Sequence, residues 1–198
     1  MKVLLWIILF FNAGVSFSQK TAAEINRLRE SHLLELLDST NSILTSEERS
    51  HFVGVDYYPF DENYQIEGTF KKSRGRKFEM PTSTERKAIY RRYGYLEFTF
   101  EDQLYRLTVY QNVASKRKTT YEGDLFIPFR DATSSNETYG GGRYLDLKIP
   151  SSSNVIIDFN LAYNPYCAYS PRYSCPIPPE ENTLPIPIRA GEKYLNSH

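Results

Sequence analysis

The sequence predicts a mainly β protein, an antiparallel sandwich or a partly open barrel with a peripheral N-terminal helix. Three observations point there. Apolar residues recur at helical spacing before Pro59 and alternate along the chain after it. Roughly eight short apolar stretches follow, separated by turn residues, as in sandwiches and barrels. The 198 residues include 16 tyrosines, whose rings pack on pleated surfaces while their hydroxyls keep hydrogen bonds.

Residues 1–18 read as a secretory signal. Lys2 supplies positive charge, Val3 to Phe11 is an unbroken apolar run, and Ser16 and Ser18 place small residues before a cut at Gln19. That run is shorter than the roughly 20 residues that span a bilayer. No later segment is apolar enough to span one. The chain is therefore expected to be exported, periplasmic or secreted, with no membrane insertion after signal cleavage. Residues 19–43 are expected to form a helix and linker, and 44–198 a single β-rich domain, long enough to close one core.

Thr21 and Glu24 make a capping box, and Ile25, Leu28, His32 and Leu36, with Leu33 and Leu37, extend a helix to Asp38. Thr45 and Glu48 repeat the signature, opening a short helix that stops by Gly54. Beyond Pro59, Tyr64, Ile66 and Phe70 share one face of a strand. Phe78 and Met80 make a short strand ended by Pro81, and Ile89, Arg91 and Tyr93 another that reaches Gly94. Leu96, Phe98 and Phe100 turn at Glu101-Asp102-Gln103 into Tyr105, Leu107 and Val109. This is a β-hairpin, although its turn lacks the favoured Asn-Gly pair. Further strands are expected at 124–129, 144–149, 155–160 and 184–188. Pro176, Pro178, Pro179, Pro185 and Pro187 stiffen the end of the chain into an edge or strap.

Charge excludes some functions. Lys and Arg number 24, and so do Asp and Glu, so no net field steers the chain toward nucleic acid, and no nucleic-acid partner is expected. The basic clusters at Lys71–Lys77 and Lys116–Lys118 read as solvated hairpin tips. Zinc usually takes four ligands, and the histidines, His32, His51 and His198, lie away from the cysteines in the sequence. No metal and no cofactor is expected, since phosphate-loop, Rossmann, Gly-x-Ser-x-Gly and His-Glu-x-x-His patterns are all missing.

Chemistry is best placed in two polar segments. Between Arg130 and Arg143 charged groups crowd a loop holding Asp131, Glu137, Tyr139 and the triplet Gly140-Gly141-Gly142. Each arginine offers a two-pronged donor to a carboxylate or phosphate. The alternative is a self-satisfied loop in which Asp131 and Glu137 pair with the two arginines. From Asp158 to Asn182, a carboxylate leaving the apolar run Val155-Ile156-Ile157 needs a partner, and Asn160, Asn164, Glu181 and Asn182 follow.

These strings are familiar. Phe129-Arg-Asp-Ala-Thr, then Glu137-Thr-Tyr-Gly-Gly-Gly-Arg-Tyr-Leu-Asp-Leu, is one half of a resemblance. Asp158-Phe-Asn, Ala162-Tyr-Asn-Pro, Cys167-Ala-Tyr-Ser-Pro-Arg-Tyr, Cys175-Pro and Glu181-Asn are the other, with Ile188-Arg-Ala-Gly-Glu-Lys193 and the upstream Phe52-Val-Gly and Tyr58-Pro-Phe-Asp. Over residues 44–193 they closely resemble the prokaryotic family named only as domain of unknown function 1684, in a short form. The resemblance implies no established reaction. It implies that Arg130, Asp131, Glu137, Tyr139, Arg143, Asp158, Asn160, Asn164, Glu181 and Asn182 belong to the family signature.

Cys167 and Cys175, an even count in an exported chain, are expected to form a disulfide, stabilising by about 2–3 kcal/mol. The leading expectation for function is a non-catalytic module that binds a small polar or anionic ligand where the two segments converge, with Arg130, Gly141 and Arg143 at the anion. One rival is a hydrolase using two of Asp131, Glu137, Asp158 and Glu181 on envelope or extracellular glycans. The other is an architectural domain with an internal polar network.

Overall fold

The computed structural model describes residues 19–113 and 124–194. The expected signal (1–18) and the basic cluster Lys116–Lys118 lie outside the described residues. Both capping boxes form as their sequences predict. Thr21 caps helix α1 (Ala22–Leu37), with its hydroxyl accepting from the Glu24 amide and Glu24 reaching back. Thr45 and Glu48 do the same for α2 (Ser46–His51).

Seven antiparallel strands follow: β1 (Gln65–Lys72), β2 (Lys77–Met80), β3 (Ala88–Phe100), β4 (Gln103–Asn112), β5 (Asp124–Phe129), β6 (Arg143–Lys148) and β7 (Asn154–Asp158). They pair in the order β6-β5-β4-β3-β1-β7, with β2 added on β3, and the sheet curls into a half-barrel. Phe70, Leu96, Phe98, Leu107, Leu125, Phe129, Ile157 and Phe159 fill its hollow. Among the described residues no helix is long and apolar enough to cross a membrane.

Two sequence expectations change. The stretches on either side of Gly94 are one strand, β3, because a β-bulge between Arg92 and Gly94 carries the ladder through. The bulge inserts one residue and so exchanges the faces of the sheet. Leu96 and Phe98 pack with Leu107 and Val109 in the main core, whereas Ala88 and Tyr90 join Tyr110 and Met80 in a second cluster. Val109 and Tyr110 are neighbours and must point to opposite faces. Glycine is required at the switch, since a Cβ on Gly94 would come within 2.8 Å of the Phe70 ring.

Residues 184–188 do not form a strand. Pro185 and Pro187 lack amide donors, so the segment runs as a strap beside the end of β5, with Leu184 N–H bonded to Arg130 O at 2.8 Å and Ala132 N–H to Ile186 O at 3.1 Å. Leu184, Ile188 and Ala190 plug the open side of the core.

Candidate functional site

The strap is held by a buried ion pair. Arg143 begins β6 after Gly142, whose φ of +90° belongs to the left-handed region that favours glycine. Its Nη2 donates to Asp131 Oδ2 at 2.8 Å and to Ile188 O at 2.7 Å, and its Nη1 to Ala190 O and to Glu192 O at 3.1 Å. The guanidinium lies over the Phe129 ring and is 1 % exposed. Four of its five donors are thus spent inside the protein. Asp131 is equally committed, accepting from Thr133 N–H and Oγ1 and from Ile188 N–H.

The clamp sets the position of Glu192, three residues after Arg189. Its carboxylate is buried, accepting from Asn164 N–H at 2.8 Å and from the Tyr169 hydroxyl. His32 Nε2, from α1, lies 3.3 Å from its Oε1, and this contact raises the His32 pKa against the opposing effect of burial. One turn earlier on α1, the Arg29 guanidinium lies 4.6 Å from the centre of the Tyr57 ring. Helix and half-barrel thereby flank a cleft of ≈ 320 Å³, lined by Arg29, His32, Tyr57, Asp146, Tyr163 and Glu192 among others. Tyr163 donates to Asp146 at 2.9 Å.

Arg29 is poorly paired for its burial. Its Nε is buried without a partner, its Nη2 reaches Asn160 O only at 3.4 Å, and desolvation lowers its pKa. Here a half-buried cation faces an open cleft.

A family model described as "Protein of unknown function (DUF1684)" matches residues 50–193. The chain belongs to this family. Among solved structures, the DUF1684 chain is similar to an uncharacterized protein of Haloarcula marismortui determined by solution NMR. The two are 32 % identical with a TM-score of 0.68, over 89 % of this chain and 95 % of that one. No curated protein matches.

The other signature residues of the DUF1684 domain divide into separate groups. Asp158 meets neither arginine of the loop. It accepts from Gln65 Nε2 at 2.9 Å and from Asn160, whose amide side chain also holds both backbone groups of Asp61. Glu137 is gripped by Arg189 through two nitrogens and by the Tyr58 hydroxyl, and the Arg189 bonds draw its pKa down. Asn182 bonds Thr108 N–H and O and Pro128 O, while its neighbour Glu181 accepts from Tyr110. Arg130 donates to Pro178 O at 3.3 Å. Gly141 faces the ring of Tyr139, its own neighbour in the loop. Asn164 carries Lys193 O on its Nδ2 at 2.9 Å.

The two cysteines are free thiols rather than the expected disulfide. They are neighbours all the same, with Cys167 N–H donating to Cys175 Sγ at 3.2 Å. The hydrogen bond from Cys175, helped by the Tyr139 hydroxyl, holds the Cys167 thiol down to about 6, and the same bond pushes Cys175 up.

Arg29, His32, Tyr57 and Glu192 were not signalled as site residues by the sequence. Arg29 sits off the apolar stripe of an amphipathic helix, where such a residue reads as part of its solvated side. The one available hint was His32 falling on the apolar stripe of α1.

Proposed function

We propose that this DUF1684 protein is an exported, non-catalytic module that holds a small polar ligand with an anionic group in the cleft between α1 and the half-barrel. The observation that carries the reading is Arg29, a half-buried guanidinium with an unpartnered Nε at the wall of a concavity. The protein pairs this guanidinium weakly, through one bond of 3.4 Å, and a carboxylate or phosphate in the cleft would add a charge-assisted partner. Tyr57, Tyr163 and Tyr166 line the cleft as ring walls, and Asp146 and Glu192 favour a hydroxyl or ammonium group on the same ligand. A volume of ≈ 320 Å³ suits a molecule of amino-acid to sugar-acid size. The Lys2, Val3–Phe11 and Ser16–Ser18 pattern supports export.

The anion donor is thereby moved from the loop arginines to α1. Arg143 has the chemistry but is enclosed by its own acceptors. The hydrolase has less support, because Asp131, Glu137, Asp158 and Glu181 each accept a hydrogen bond from a protein side chain.

The test is a thermal-shift and NMR screen of the purified protein against small carboxylic acids, amino acids and phosphate esters. A ligand should shift His32, Tyr57 and Tyr163 resonances, lose at least about tenfold in affinity in Arg29→Ala, and keep it in Arg130→Ala. Ligands that bind Arg29→Ala as well as the wild type would refute the reading.

A further inference from the structure

Residues 71–92 hold nine lysines and arginines and two glutamates, in a chain with 24 charges of each sign. We propose that this segment is a docking face for the surface of an anionic phospholipid bilayer. It is separate from the cleft under α1, which none of these residues lines.

The first ground is that the fold gathers these charges. β1 and β2 lie along the same edge of β3, with Lys71 and Lys72 opposite Tyr95 and Gly94, and Lys77 opposite Arg91. Ser73 N–H to Tyr93 O at 2.9 Å and Gly75 N–H to Arg92 O at 3.1 Å pin the connection between them against β3. Glycine permits that approach, since a Cβ on Gly75 would come within 2.8 Å of the Arg92 Cβ. Seven of the nine cations are exposed and the other two half-buried.

The second ground is what the protein leaves unpaired. Lys71 meets Glu97 at 2.5 Å and Lys87 meets Glu79 at 3.2 Å. Among the described residues no carboxylate forms an ion pair with Lys72, Arg74, Arg76 or Lys77. The Tyr93 ring carries Lys72 and Arg91 at 5.2 and 5.8 Å, and next to Lys77 the Phe78 side chain is 37 % exposed. A small dissolved ligand is held in a concavity, whereas a bilayer presents its phosphates as a plane. Such a plane attracts each lysine and arginine near it and takes an apolar ring beside them into its headgroup region. A fully hydrated polyanion offers Phe78 nothing.

The experiment co-sediments the purified protein with vesicles of phosphatidylcholine alone and of phosphatidylcholine mixed with phosphatidylglycerol, over a series of sodium chloride concentrations. Binding to the anionic vesicles only, falling as salt rises, is expected. Arg74→Gln with Arg76→Gln, both exposed positions, should weaken it at least about tenfold. The same loss of charge at the exposed Lys20 and Arg27 should leave it within about twofold. Phe78→Ala should weaken it at least about threefold without changing the salt dependence. Equal binding to neutral vesicles, insensitivity to salt, equal losses in the two double variants or unchanged binding in Phe78→Ala would each overturn the proposal. Capture by dextran sulfate that anionic vesicles cannot reverse would assign the face to a dissolved polyanion and overturn it too.

Discussion

Arg143 and Asp131 form an ion pair of 2.8 Å whose two side chains are 1 % and 0 % exposed. The other Nη donors of Arg143 go to strap carbonyls, and Asp131 accepts further bonds from Thr133 and Ile188. Such pairs add little net stability over an apolar replacement of both members, but removing one member strands the other.

Arg143→Met should therefore destabilise by about 3–5 kcal/mol, because Asp131 and three strap carbonyls lose their donor together. Arg143→Lys should recover little, since an ammonium cannot span four acceptors fixed by a planar fork. Urea unfolding of the two variants and of Asp131→Asn decides the matter. A loss below about 1 kcal/mol would class the pair with exposed salt bridges.

The β3–β4 turn is locally unfavourable. Glu101 and Asp102 take φ of 49° and 61°, the left-handed pair of a two-residue hairpin turn, and neither is glycine. Such a conformation costs a non-glycine residue about 1–2 kcal/mol. Asp102→Gly should raise stability by about 1 kcal/mol, visible as a higher urea midpoint with an unchanged slope.

Docking of α1 should weaken as pH rises. Glu192 raises the His32 pKa above 6.5 in the folded state. The stabilisation is fully present below the unfolded value near 6.5 and is lost as pH climbs through the higher folded value. Arg29, Tyr57 and Glu35 are the other charged or titratable groups acting on this neighbourhood. Amide exchange in α1 should accelerate through that window in the wild type. In His32→Gln it should follow only the intrinsic pH trend.

Cys167 should react first. With its thiol held down to about 6 and that of Cys175 raised, alkylation followed by peptide mapping should label Cys167 with a midpoint near pH 6. Tyr139→Phe should move that midpoint upward, as it removes one donor to the thiolate.

What the sequence made legible was local. The two capping boxes, the alternation of Leu96, Phe98 and Phe100, and the hairpin return at Tyr105 each rest on neighbours within a few residues, and each stands in the structure. The bulge was hidden because Ile89, Arg91 and Tyr93 alternate as plausibly as Ala88 and Tyr90, and only packing on the far face distinguishes them. The site was less legible. Arg130, Arg143 and Arg29 carry the same group, and which of them is sealed depends on strap carbonyls 45 to 49 residues beyond Arg143. No spacing rule reports contacts of that range. For the same reason Glu192, placed by the clamp, looked like one more charge in an Arg-Ala-Gly-Glu-Lys run.

The clamp also bears on when the chain can fold. Arg143 draws its acceptors from Ile188, Ala190 and Glu192, and the hollow of the half-barrel is plugged by the same few residues. Until the ribosome has released them, a nascent chain holds a guanidinium with nowhere to go and a core open to water. Closure therefore waits on the strap, and the seven strands alone leave the hollow unsealed.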